Sequence, residues 1–455
     1  MSPPADPRTL LEQLYRTAVT ATRPDVAVER ALARVVLPRG RLQLGSAHAM
    51  VHVLAIGKAA VPMARGALAG CAAQDAPLAG GLCIVHESPV DADAVAPLAV
   101  LVGDHPVPGV RSLHAADAIG TYVRDHVRDG DHALVLVSGG TSSLVAAPLP
   151  GLAMDDIVAL GHALLHCGHP IDVVNRVRRR VHRWGGGRLA TALGERGAAT
   201  TVLLVSDVIG DTLPSIGSGP CTADPVPRGE VLALLDTIPG VPARVRTWVA
   251  ADRDDARMPA AGDPRTAYVH QQIVASSATL AAAAHDEAWR RALHADTNVV
   301  RLAGDAHDAG AAFVTAMLTS RTRRESRGVR DVPSLRIAIG EPVVHVADPA
   351  RALGGRMQAF ALAAARALHD AGDAAEGLHL LAAGSDGRDG PTDAAGAVVD
   401  RHTWSRIRAA GHDPDRALAE HRSYLALDAV DATIRAWDTG TNVNDIVLGL
   451  DLPPS

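Results

Sequence analysis

Apolar positions along the chain fall into two alternating rhythms. Short runs of Val, Leu, Ile and Ala are bounded by glycine and polar residues, and longer Ala-rich stretches between them repeat their apolar positions at helical spacing. The short runs predict strands at Val51–Ile56, Gly81–Val85, Val100–Val102, His132–Val137 and Thr201–Val205, then at Tyr268–Ala275, Val299–Leu302, Leu335–Ile339 and Leu378–Ala383. Strands alternating with helices predict an α/β protein, built from βαβ units around a mainly parallel sheet. Both rhythms lapse at Ala251–Thr266, rich in Asp, Arg and Pro, which predicts a boundary between two domains, residues 1–262 and 263–455. A second charged stretch, Arg321–Ser334, predicts a loop between a helix and a strand.

Composition narrows this picture. A chain of 455 residues exceeds one ordinary core and suits two domains. With only two Phe, five Trp and four Tyr, the cores must be Ala, Val and Leu, as in buried parallel strands and closely packed helices. Lys and Arg number 44 against 50 Asp and Glu, so the basic excess of a nucleic-acid binder is absent. No apolar run approaches the ~18 residues of a membrane span, and Met1–Asp6 does not read as a secretory signal. Cys71, Cys83, Cys167 and Cys221 stand far apart, which speaks against a zinc site or a disulfide framework. A soluble cytoplasmic protein without nucleic-acid or membrane partners is the expectation.

The loops after the strands carry the candidate chemistry. In open α/β sheets, ligands bind beyond the carboxyl ends of the strands, and both halves present polar, glycine-rich loops there. Ser138, Gly139, Gly140, Thr141 and Ser142 open a strand-to-helix turn whose N–H groups could cradle an anion; an ordinary turn with a serine cap reads the same way. Lys58, after Val51–Ile56 and Gly57, could reach a phosphate as a point charge or simply face solvent. Asp207 follows Thr201–Val205, where a carboxylate could act as a base, bind Mg²⁺ or cap a turn. Asn175–Arg188 concentrates arginines, among them Arg179 and Arg188, around a triple glycine, and this pattern suits either carboxylate or phosphate recognition or a solvated helix face. Asp386, Asp389 and Asp393 crowd one glycine-rich loop that could hold Mg²⁺ or merely turn the chain. Glu341 stands at another strand end, and His105 is the histidine of most interest.

Taken in order, these segments closely resemble the glycerate 2-kinase family, whose C-terminal domain carries the MOFRL motif. The resemblance runs through Ile56–Ala60, Gly103–Pro108, Ser138–Gly140, Gly186–Ala190, Ser206–Val208 with Ser218–Pro220, Gly354–Arg356, Asp386–Gly396 and Gly440–Asp445. It implies a Rossmann-like N-terminal domain, a MOFRL-type α/β domain and a site in the cleft between them. It implies phosphorylation of the 2-hydroxyl of D-glycerate by ATP with Mg²⁺, giving 2-phosphoglycerate. The family's polar site residues map onto Lys58, Asp207, Glu341 and Arg356; the resemblance implies that Asp207 orients or deprotonates the hydroxyl or binds the metal, and that Glu341 holds Mg²⁺ or a substrate hydroxyl. A homodimer is one assembly left open.

Several positions depart from the family pattern. Arg179 stands where a lysine is usual, Pro342 and Val343 replace two threonines after Glu341, Met357 and Ala359 replace an amide and a carboxylate after Arg356, and Ser277 replaces an asparagine. Arg and Lys are not interchangeable at a close contact. Three alternatives therefore stay open: another hydroxy acid or phosphoryl donor, a hydroxypyruvate reductase, or a binding paralogue with reduced catalysis. The absence of G-x-G-x-x-G after Val51–Ile56 speaks against the reductase.

Overall fold

The computed structural model describes residues 6–38, 49–87, 92–224, 226–251, 257–296, 298–329, 331–346 and 352–453. The chain forms two compact units, Pro24–Val274 and a second made of Met1–Arg23 with Ala275–Ser455.

The unit Pro24–Val274 is built on six strands: β1 (Val51–Ile56), β2 (Leu78–Val85), β3 (Leu98–Val102), β4 (His132–Val137), β5 (Ala199–Val205) and β6 (Val269–Ala275). They lie in the order β3-β2-β1-β4-β5-β6. The pairings β1–β2, β2–β3, β1–β4 and β4–β5 are all parallel. Every residue of β1 is buried, as expected for a strand covered on both faces. From β1 the order runs to β2 and β3 on one side and to β4 and β5 on the other, so the loops after β1 and β4 leave the sheet at a topological switch point. The boundary expected at 262 falls later. Residues 252–256 lie outside the described residues, and β6 extends the first sheet beyond β5, so the compact units divide after Val274.

The second unit carries β7 (His294–Ala295), β8 (Val300–Leu302), β9 (Ser334–Gly340), β10 (Leu378–Gly384), β11 (Ala394–Asp400), β12 (Thr433–Arg435) and β13 (Asp445–Asp451). Its order is β12-β11-β10-β13-β9-β7, with β8 also on β9. A mainly parallel sheet was the expectation, and this one is mainly antiparallel: β9–β13, β13–β10, β10–β11 and β11–β12 all run opposed. Only β7 and β8 pair with β9 in parallel. The connection from β10 to β11 carries no helix to cross over the sheet, so the chain must turn straight back. Helix Pro7–Ala21 belongs here, packed on helix Ser277–Arg290 and on β10 and β13. Its buried face is Leu11, Leu14, Tyr15, Ala18 and Val19, and the Tyr15 hydroxyl donates to the Gly384 carbonyl at 2.5 Å. The stretch expected as a loop from Arg321 is helical through Glu325, because helix Ala306–Glu325 continues into it.

Candidate functional site

The parallel register of β1 and β4 pairs Ile56 with Val137, so both strands end in step. Gly57-Lys58 and Ser138-Gly139-Gly140 therefore leave the sheet side by side. The Lys58 N–H donates to the Gly139 carbonyl at 2.9 Å and the Ala59 N–H to Ser138 Oγ at 3.0 Å. Thr141 Oγ1 donates to the carbonyls of Ile56 and Ser138, at 2.9 and 2.8 Å. Ser138 and Thr141 are thus buried braces, whereas Lys58 is exposed. Two glycines make room for this. A Cβ on Gly139 would lie 2.3 Å from Asp207 Oδ2, so the Asp207 carboxylate, two residues past β5, sits directly against the turn. Gly140 has φ +88°, and its absent Cβ would meet Lys58 Cγ and His105 Cδ2 at 3.3 and 3.4 Å. Lys58, Gly139, Gly140, His105 and Asp207 form one polar cluster at the switch point. Desolvation, followed by Lys58, His86 and Arg178, lowers His105 to about 4, so its ring is neutral near pH 7.

Ser142 is the next step outward. Its hydroxyl bonds Ser218 Oγ at 2.7 Å, and Ser218 in turn reaches Asn175 Oδ1 at 3.5 Å. The arginine-rich segment proves largely internal. Arg179 is buried, its Nε on Asp224 at 2.9 Å and its Nη1 on the Pro214 carbonyl at 2.8 Å. Arg188 Nη1 donates to the carbonyls of Arg179, His182 and Gly185. Neither reads as a solvated face, and both engage the protein itself at the positions expected to bind phosphate. Buried His182 is pushed down to about 3 by desolvation and by Arg178 and Arg188.

A second polar cluster lies in the other unit. The antiparallel register pairs Gly340 of β9 with Asp445 of β13, which sets Glu341 and Asp445 at one end of adjacent strands. Arg356, the first residue of helix Arg356–Asp370, meets both. Its Nε and Nη2 reach the two oxygens of Asp445 at 2.6 and 3.2 Å, and Nη1 reaches Glu341 Oε1 at 2.6 Å. Three of the five guanidinium N–H groups are so engaged. Asp445 is buried, and burial pushes its carboxyl up to about 7 against the pull of Arg356, with Asp389 and Glu341 adding to the rise.

The three aspartates expected to crowd one loop turn to different partners. Asp389 caps helix Arg356–Asp370, accepting the N–H groups of Met357 and Gln358 at 3.0 and 2.7 Å. A Cβ on Gly355 would lie 2.1 Å from its Oδ1. Burial raises Asp389 to about 6. Asp386 accepts from the Arg388 N–H at 3.0 Å, and exposed Asp393 takes the Tyr424 hydroxyl and Arg435. The single metal-binding loop is therefore not formed: among the described residues, no group of three or more His, Cys, Asp or Glu is placed to hold a metal ion.

Two residues escaped the sequence reading. Asp445 closes the stretch Gly440–Asp445 but carries no sign in sequence that it would pair with Arg356, 89 positions away. Asn175 was read only as the edge of an arginine cluster, yet it donates to the Ser215 carbonyl at 2.8 Å and anchors the Ser142–Ser218 chain.

Comparison with known proteins places this geometry. Residues 10–250 match a domain of unknown function, DUF4147, and residues 334–445 match the MOFRL family. The chain is 30% identical to a D-glycerate 2-kinase from Thermotoga maritima, over 99% of this chain and all of the relative. It is 32% identical to a glycerate 2-kinase from Pyrococcus horikoshii, over 88% of this chain and 87% of the relative. A crystal structure of a glycerate kinase from Thermotoga maritima superposes with a TM-score of 0.81 at 30% identity, covering 98% of this chain and 99% of that one. Full-length similarity in sequence and fold, with both family regions in order, makes the chain a member of the glycerate 2-kinase family and a kinase enzyme.

Proposed function

We propose that the protein transfers the γ-phosphoryl group of ATP to the 2-hydroxyl of D-glycerate, releasing 2-phosphoglycerate and ADP, with Mg²⁺. The observation that carries this reading is the switch-point cluster, where an exposed ammonium, a glycine turn and a carboxylate meet within one loop constellation. Phosphoryl transfer needs positioning and charge neutralisation more than covalent help from the protein. Lys58 supplies a mobile positive charge beside the Gly139-Gly140 turn, suited to phosphate oxygens. Asp207 takes the proton of the attacking 2-hydroxyl or orients it. Arg356, held by Asp445 and Glu341, keeps two N–H groups for a carboxylate or phosphate oxygen.

Mg²⁺ usually takes one or two protein carboxylates and completes its shell with water and phosphate oxygens. Asp207 in one unit and Glu341 in the other are each hard oxygen donors on exposed loop positions, and either alone fits that requirement. When bound, the ion would neutralise phosphate charge. In this reading Ser138, Thr141, Ser142, Arg179, Arg188, Asp386 and Asp389 act by positioning the loops that carry the reacting groups.

³¹P NMR of the purified protein with Mg²⁺-ATP and D-glycerate tests the proposal. The 2-phosphoglycerate resonance should grow as ATP is lost. Folded protein that yields no phosphoglycerate would overturn the substrate assignment.

A further inference from the structure

At the opposite end of β9 and β13 from Glu341, Arg356 and Asp445, the same unit holds a cavity of about 680 Å³. β9 runs from Ser334 in the cavity wall to Gly340, and β13 from Asp445 to Asp451 in the wall. Strand rise puts roughly 20 Å between the two ends. One wall is a single face of helix Ala306–Glu325, on which Thr315, Thr319 and Arg323 recur at four-residue spacing, with Arg327 four further on.

The wall's charge is unbalanced, with Arg323, Arg324, Arg327 and Arg336 facing only Asp296 and Asp451. Asp451 is taken by Arg321 and Arg324, and Asp296 by Arg336 at 3.0 Å. Arg323 and Arg327 are exposed and make no ion pair among the described residues. The Nε atoms of Arg324 and Arg336 are buried with no acceptor among the described residues, so the cluster lacks oxygen partners even where it is paired. Thr315 and Thr319 spend their hydroxyl protons on their own helix, at 3.1 and 2.9 Å, which leaves anion recognition to the arginines.

Guanidinium forks match phosphoryl and carboxylate oxygens better than any other side chain does. Arg323 and Arg327 rise ~6 Å apart along the helix direction, the separation of two anionic groups a few atoms apart. We propose that this cavity is a second binding site, at the other end of β9 and β13 from Glu341, Arg356 and Asp445, for a small molecule with at least two anionic groups, one of them phosphoryl.

Calorimetry with inorganic pyrophosphate on the full chain tests this. In a Lys58→Ala background, where the switch-point cluster is weakened, pyrophosphate should still bind. Adding Arg323→Ala with Arg327→Ala should weaken that binding at least ~10-fold, the scale of lost charge-assisted contacts. Thr319→Trp, which sets a bulky indole in the wall between the arginines and leaves every arginine in place, should weaken it similarly. The arginine pair changed alone should leave turnover at saturating substrates unaltered, whatever the identity of the phosphoryl acceptor. No binding in the Lys58→Ala protein, or binding indifferent to the arginine changes, would overturn the site. Loss with the arginine changes but not with Thr319→Trp would put the anion outside the cavity and overturn it as well.

Discussion

Lys58 and Asp207 approach the Ser138–Ser142 turn from different strands, and each has a substitution that isolates its contribution. Lys58→Ala should lower kcat at least ~100-fold while leaving the melting temperature near wild type, since the ammonium is exposed and supports no core. A coupled ADP assay with thermal unfolding checks both readouts. Gly139→Ala should depress turnover at least ~10-fold through Asp207, because the new methyl would have to share space with a carboxylate oxygen 2.3 Å away. Retained activity in Gly139→Ala would mean that Asp207 moves without consequence, and would take it out of the reaction. Arg356 sets a different problem. In Arg356→Met the buried Asp445 carboxylate loses its bidentate partner, which should cost about 3–5 kcal/mol at pH 8. The Asp445 carboxyl is already raised to about 7, and without Arg356 it rises further, so protonation relieves the penalty as pH falls below that value. Urea unfolding at pH 8 and pH 5 should show a distinctly smaller loss at pH 5.

Elements set where these residues stand. The in-step ends of β1 and β4 bring two loops together that are some eighty positions apart in sequence, and the parallel pairing of β4 with β5 brings Asp207 to the same end. All three strands were legible as short apolar runs, because a parallel strand buried on both faces needs continuous hydrophobicity. β11 and β13 were not. Ala394–Asp400 and Asp445–Asp451 are each interrupted by a glycine and bounded by aspartates, and they become strands through their pairing across the sheet rather than by local propensity. The segment Ile171–Val181 with His182 shows the same dependence. As sequence it is an arginine-rich helix face, and as structure it buries Arg179 and His182. His182 is neutral in the fold because burial and two arginines depress it to about 3, while in the unfolded chain it titrates near 6.5. Its stabilising contribution is complete above 6.5 and is lost as pH falls toward 3, amounting to about 2 kcal/mol by pH 5. A His182→Asn variant should lose that part of the acid sensitivity in chemical unfolding curves recorded from pH 7.5 to pH 5. Identical pH slopes for variant and wild type would rule the residue out as a source.

At the scale of the whole molecule, helix Pro7–Ala21 packs into the unit built from the C-terminal half of the chain. Helix Pro7–Ala21 buries Leu11, Leu14, Tyr15 and Ala18 within the unit formed by Ala275–Ser455, so that unit is incomplete without the first residues of the chain. A fragment spanning residues 275–455 should be destabilised by on the order of 5 kcal/mol relative to the same fragment with residues 6–23 joined to it. Far-UV circular dichroism and urea titration of both fragments check this, and equal midpoints would show the helix to be dispensable. By itself the sequence determined the α/β class, the first sheet's strands, the family and the loops that hold Lys58, Asp207, Glu341 and Arg356. Each of these rests on local patterning or a contiguous motif. Only the tertiary structure decided that the second sheet is mainly antiparallel, that the N-terminal helix joins the C-terminal unit, that Arg179 and Asp389 serve internal partners, and that Asp445 holds Arg356. Those outcomes depend on which distant groups burial forces together, because a buried charge must find its partner wherever the packed chain supplies one.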